Sequence, residues 1–216
     1  MRGINHTESE KTCSGNHLES FGIIFAEWLI CLEKAALCRF GIHLKGIKPE
    51  FTRVEKGFSC SHNNYRDTIF IRYHDDSEIQ LFPLKWALVY AICHETGHIV
   101  LGRVQELKYL PPVVWDEAWA HYCAVDIFMP ALLPILKSEK LVQEECDLQN
   151  EIKLLMNENE PYHWGPIMIL NEAVEIFRNL QGIYDGPGLL RLIKKIGNQG
   201  LNSAEYAWIL KEQTRN

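Results

Sequence analysis

The chain has 216 residues, 47% of them apolar, with a formal net charge of -6 and seven cysteines. This length fits one domain or one domain with an appendage, and the apolar share excludes a disordered chain. The mild acidity gives no electrostatic reason to bind nucleic acid or an anionic membrane, and no uninterrupted apolar run approaches the ~18 residues of a membrane span.

In chain order, residues 1–17 read as a flexible lead, and residues 18–216 as a single domain. A first helix is expected over 18–40, because Phe21, Ile24, Phe25, Trp28, Leu29, Leu32 and Ala36 recur at three- and four-residue steps before Gly41. Residues 42–82 carry the β character. A loop rich in Gly, Ser and Asn runs to Asn64, Thr68–Tyr73 forms a strand, and Ile79 to Phe82 is a candidate for another. From Pro83 the pattern turns helical. Leu84 to Leu101 forms one helix, ended by Gly102, and Asp116 to Met129 a second, stopped by Pro130. Further helices are expected over 135–158, 165–180, 187–196 and 202–213. The fold class is α+β and mainly helical, with a small sheet preceding the helix that carries the chemistry.

The first twenty residues are polar and lack the apolar core of a secretory signal. The cysteines are odd in number, irregularly spaced and without a CxxC pair. Four of them, Cys31, Cys38, Cys93 and Cys123, lie in apolar helical stretches. They are expected as buried free thiols in a reducing, cytoplasmic setting.

Chemistry concentrates at His94-Glu95-Thr96-Gly97-His98, an HExxH sequence. Residues four apart share a helix face, so two imidazoles can converge on one ion. Glu95 lies about 100° round the helix from His94, where it can reach a water beside that ion and take its proton. Zinc suits three nitrogen or oxygen ligands and one open position. The other reading is a pair of hydrogen-bonded core histidines beside a surface glutamate. Leu88, Val89, Ile92, Ile99 and Val100 make the helix largely apolar, so unsatisfied histidines there would be costly. Gly97 is a poor helix former whose missing side chain would let a second helix approach closely. Eighteen residues separate His98 from Glu117, enough to bring a second helix alongside with a carboxylate in its first turn.

HExxH followed by a distant Glu resembles the gluzincin metallopeptidases. The eighteen-residue gap, and Trp115-Asp116-Glu117-Ala118-Trp119-Ala120, look like the pattern of aminopeptidases related to aminopeptidase N. The same segment, with Met129-Pro130 downstream, is similar to the small ImmA/IrrE-type metallopeptidases. The likeness covers about residues 68–130, the expected catalytic core, with 131–216 a helical C-terminal part. It implies His94, His98 and Glu117 as ligands of one Zn2+ ion, and Glu95 as the base that activates its water. It also implies a minimal zincin-like domain whose sheet edge pairs with an extended substrate peptide. Thr68–Tyr73 is the candidate edge, or else part of a plain structural hairpin.

The chain departs from the pattern at two places. Gluzincins place an aspartate four residues after the ligand Glu to orient a zinc histidine, and here that position is His121. Asp116 is an alternative for that role, Asp126 a poorer one. His121 is open to orienting, substrate, metal or purely structural roles. The aminopeptidase motif Gly-x-Met-Glu-Asn is absent, so exopeptidase activity is not supported. For the oxyanion donor, His163 is the first choice, with Tyr162 beside it and Tyr184 a rival. Cys93 is expected to pack away from the metal.

The expected activity is zinc-dependent hydrolysis of a peptide bond, with a peptide or small amide as the partner and neither nucleic acid nor membrane. Two alternatives stand beside it. One is a metal-dependent enzyme acting on a small amide or metabolite, which a deep closed pocket would favour. The other is a regulatory protein on the same scaffold, which has no use for Glu95.

Overall fold

The computed structural model describes residues 15–53, 59–63, 68–73, 84–104, 108–109, 111–138 and 167–215. Its elements are α1 (Gly15–Phe40), β1 (Lys48–Arg53), β2 (Ser59–Asn63), β3 (Thr68–Tyr73), α2 (Leu84–Gly102), α3 (Val113–Ser138), α4 (Ile167–Ile183), α5 (Gly186–Gly197) and α6 (Ser203–Gln213). The described residues are therefore mostly helical with one small mixed sheet, an α+β arrangement. The expected strand over Ile79–Phe82 and the expected helix beyond Ser138 lie outside the described residues, as do residues 1–14.

The sheet has the order β1-β3-β2. Strand β3 pairs with β1 in parallel and with β2 antiparallel. Thr68–Tyr73 is thus the central strand, which corrects its candidacy as the substrate-binding edge. Its neighbours come from segments whose Gly, Ser, Asn and Pro content reads as loop. Strand pairing overrides that weak local preference, because a strand is stabilised by its neighbours more than by its own residues. Ile69 and Ile71 are fully buried and Arg72 is exposed, so one face of the sheet lies on the helices. In register, Cys60 faces Ile71 and His62 faces Ile69. Directly paired residues project to the same face, so His62 points toward the helical layer.

Helix α2 lies between the sheet and α3, packing on both β2 and α3. Leu88, Val89, Ile92, Cys93, Ile99, Val100 and Leu101 are all buried, as are His94, Thr96 and His98. The two helices cross at Gly97. A Cβ there would lie 2.8 Å from the Ala120 Cα, 3.0 Å from its carbonyl oxygen and 3.0 Å from the Cys123 Cβ. Beside this contact the Trp119 indole N–H donates to the Gly97 carbonyl oxygen at 3.0 Å.

Helix α3 is the spine of the helical part. Trp119 packs on Phe40 of α1 and Phe177 of α4, and Trp115 packs on Phe177 and on Tyr206 of α6. By length and composition α3 could cross a membrane, and 67% of its most apolar window is buried inside the protein. Pro130 does not stop this helix, contrary to expectation. The turn ahead of it, Cys123–Phe128, is π-helical, and the Met129 N–H reaches back to the Ala124 carbonyl. The widened ladder accommodates a residue with no N–H to donate, and the α-helix resumes over Met129–Ser138.

Helix α1 ends where expected, at Gly41, whose φ of 70° is left-handed. Helix α5 is capped by Asp185, whose carboxylate accepts from the Gly188 N–H, and α6 by a capping box of Asn202 and Glu205. Cys93 and Cys123 are buried free thiols as expected, but Cys38 is exposed and Cys31 half-buried. Their helical positions fall on the outer side of α1, which periodicity alone did not separate.

Because the Gly97 contact is with helix backbone, neither side can yield by rotating a side chain. Gly97→Ala is expected to destabilise the fold by about 1–3 kcal/mol or more, despite the better helix propensity of alanine. Urea denaturation of the variant beside wild type reads this as a lower midpoint, and an unchanged or raised midpoint would contradict the close crossing.

Candidate metal centre

Helix periodicity aligns His94 and His98, and the crossing at Gly97 brings α3 up to them; this helix starts at Val113 rather than at the expected Asp116, so Glu117 lies in its second turn and not its first. Three atoms converge there. The His94 Nε2 lies 3.2 Å from the His98 Nε2 and 3.1 Å from the Glu117 Oε2, and the His98 Nε2 lies 3.5 Å from that same oxygen. A tetrahedral zinc ion with donors at about 2.0–2.1 Å spaces them by roughly 3.3–3.4 Å. The observed triangle therefore has the dimensions of one face of such a site. His94, His98 and Glu117 form a group able to hold a metal ion.

A proton on His98 can stand where a cation would. Burial opposes charge on His98, but the carboxylates of Asp116 and Glu117 outweigh it and push its pKa up to about 10. Burial would raise Glu117, yet hydrogen bonds from His94 and His98 and their charge hold it down at about 2. His94 is lowered by burial, against the pull of the Glu117 hydrogen bond, and its neighbour His98 lowers it further. The low-dielectric setting thus supports one imidazolium, on His98 between the Asp116 and Glu117 carboxylates, beside a neutral His94.

Each histidine is oriented from behind. The Asp116 Oδ2 lies 3.2 Å from the His98 Nδ1, within ion-pair range but off the line of a good hydrogen bond. On the other side the Tyr90 hydroxyl lies 2.7 Å from the His121 Nδ1 and 3.5 Å from the His94 Nδ1. Burial raises the Tyr90 pKa, so its hydroxyl keeps its proton and donates to His121. With an ion in place of the Nε2–H that His94 gives to Glu117, the Tyr90 oxygen would accept from a His94 Nδ1–H, the tautomer that aims the Nε2 lone pair at the centre. Burial holds His121 neutral, with a pKa lowered to about 3. His121 thus reaches a candidate ligand through Tyr90 and is not itself among the converging atoms. Asp126 turns away to pair with Arg178 at 3.0 Å.

Glu95 faces the sheet. Its Oε2 lies 2.6 Å from the Nδ1 of His62 on β2, and the His62 ring stacks on His98 with centroids 4.8 Å apart and planes 17° from parallel. His62, Glu95 and His98 form a second close group of possible ligands. Stacked rings direct their in-plane lone pairs side by side, not toward a common point. Both His98 nitrogens already face partners, so the group with Glu117 has the better geometry for an ion.

The four residues His94, Glu95, His98 and Glu117 are thus brought together. His163 and Tyr162 lie outside the described residues. The Tyr184 hydroxyl donates to Gln213 at 3.0 Å, in the C-terminal helices, and so does not serve the centre. Cys93 is fully buried and contributes no converging atom. Two residues were missed from sequence. Tyr90 precedes His94 by four, so the helical spacing that paired the histidines also marks it. His62 is 33 residues from Glu95 and carries no local signal.

A metal ion entering the triangle must displace the His98 proton. Zinc binding between pH 7 and 9 is expected to release about one proton, and affinity to rise as pH increases toward 10. Calorimetry in buffers of different ionisation enthalpy measures this directly; a heat independent of buffer would contradict the arrangement. No known protein family, curated protein or solved structure matches this chain, so the centre is read from its own geometry.

Proposed function

We propose that this chain is a zinc-dependent metallohydrolase of the gluzincin type that cleaves peptide bonds on a zincin-like scaffold. The observation that carries this reading is the triangle of His94 Nε2, His98 Nε2 and Glu117 Oε2, with the Glu95 carboxylate beside it and outside it. Two imidazoles and one carboxylate are a donor set that suits zinc. When bound, zinc supplies Lewis acidity and acidifies a coordinated water toward a pKa of about 7.

The residues of the chain divide the remaining work. His94, His98 and Glu117 hold the ion, while Asp116 and the Tyr90–His121 pair keep the imidazoles aimed. Glu95 is next to His94 on α2 but outside the triangle, so it is available for proton transfer. It takes the proton of the attacking water and delivers it to the leaving amine. His163 enters as oxyanion donor on sequence grounds alone. The edge strand nearest the centre is β2, which packs on α2 and is paired on one side only within the described sheet. An extended peptide would add alongside β2 as a further strand.

Metal analysis and peptide hydrolysis of three proteins test the reading. His98→Ala is expected to lose the zinc. Glu95→Gln is expected to keep it and to lose turnover by on the order of 100- to 10,000-fold. Equal metal content in wild type and both variants would rule the assignment out.

A further inference from the structure

We propose that His62 is the positioning residue of Glu95, tying the base to the strand that lies over the site. The inference rests on the hydrolase reading above and adds a residue from outside the HExxH and Glu117 segments. Three observations converge on it. Strand register sets His62 opposite Ile69, on the sheet face that meets α2. Its Nδ1 lies 2.6 Å from the Glu95 Oε2, and the two side chains are only 23% and 12% exposed. Its ring is braced by stacking on His98.

The chemistry of the contact is one-directional. An ionised carboxylate can only accept, so the His62 Nδ1 carries the proton and donates. Glu95 has a long side chain with several rotamers, and its hydrogen bond among the described residues comes from the sheet. Holding Oε2 from the sheet selects one orientation and leaves Oε1 for the reacting water. The stacking makes the hold rigid, because the His62 ring cannot swing without losing its contact with His98. A peptide added to β2 would then be in register with the base, since strand and carboxylate are joined by one short hydrogen bond.

Two substitutions separate the parts of this contact. His62→Phe keeps a ring to stack on His98 and removes the donor. His62→Asn removes the ring and offers an amide N–H near the position of Nδ1. Cobalt-loaded proteins report the environment of the metal through their visible absorption without any substrate, and kcat and KM on a peptide report function. Both variants are expected to take up one cobalt per chain. His62→Phe should change the cobalt spectrum and lower kcat about 10- to 100-fold with KM within about twofold, and His62→Asn should restore much of both. A folded His62→Phe protein with wild-type spectrum and kcat overturns the inference and leaves the hydrolase reading standing. Wild-type protein that takes up no cobalt overturns both. Should His62→Phe fail to fold, His62→Leu removes ring and donor together, and a folded His62→Leu protein with wild-type spectrum and kcat overturns the inference in the same way.

Discussion

The contact between Gly97 of α2 and Ala120 of α3 governs the rest of the molecule. It is a backbone approach, with no side chain on one helix and a methyl group on the other. Only at this separation does the Glu117 turn of α3 lie beside the two histidines, because a Glu side chain reaches only a few ångströms from its own helix. Any wider crossing would leave the Glu117 carboxylate short of the imidazoles. The Trp119 indole, spanning from α3 to the Gly97 carbonyl, ties the helices at the same level. That one rigid contact sets the spacing of a site built from both helices.

The surroundings explain how such a polar group survives in the core. His94, His98 and His121 are among the most buried polar residues described. Each would be costly if left alone. Instead they form a connected set, Asp116–His98–Glu117–His94–Tyr90–His121, in which every member has a neighbour of suitable chemistry. Hydrogen bonds and charge offset the desolvation, as the opposite displacements of His98 and Glu117 show. Around this set, Trp115, Trp119, Phe177 and Phe40 supply the apolar burial that holds α3 against α1, α4 and α6. The site is therefore fixed on helices rather than loops, which favours precise positioning of its groups.

The helical part was largely legible because its signals are local. The periodicity of α1 and α2, Gly41 and Gly102 at their ends, and the turns between α4, α5 and α6 follow from short-range rules. The exception is α3. Pro130 is a sound local stop signal, and the π-helical turn that overrides it is stabilised by buried Cys123, Val125 and Phe128. The sheet was less legible. Strand β3 has its own apolar character, but β1 and β2 exist because β3 offers them both its edges. Asp116 was visible as a neighbour of Glu117, and the His121 position as a departure from a known pattern. Their actual partners depend on how α3 is rotated against α2.

The amino-acid order alone determined the pairing of His94 with His98, the separate direction of Glu95, and the clearance at Gly97. Each of these follows from the fixed turn of one helix, so no knowledge of the remainder was needed. Tertiary structure decided that Glu117 completes the group, that Tyr90 links His94 to His121, and that His62 reaches Glu95. Those contacts join segments whose relative placement depends on strand register and helix rotation. A shift of one residue in either would move a side chain to another face, and no local rule in the chain specifies it.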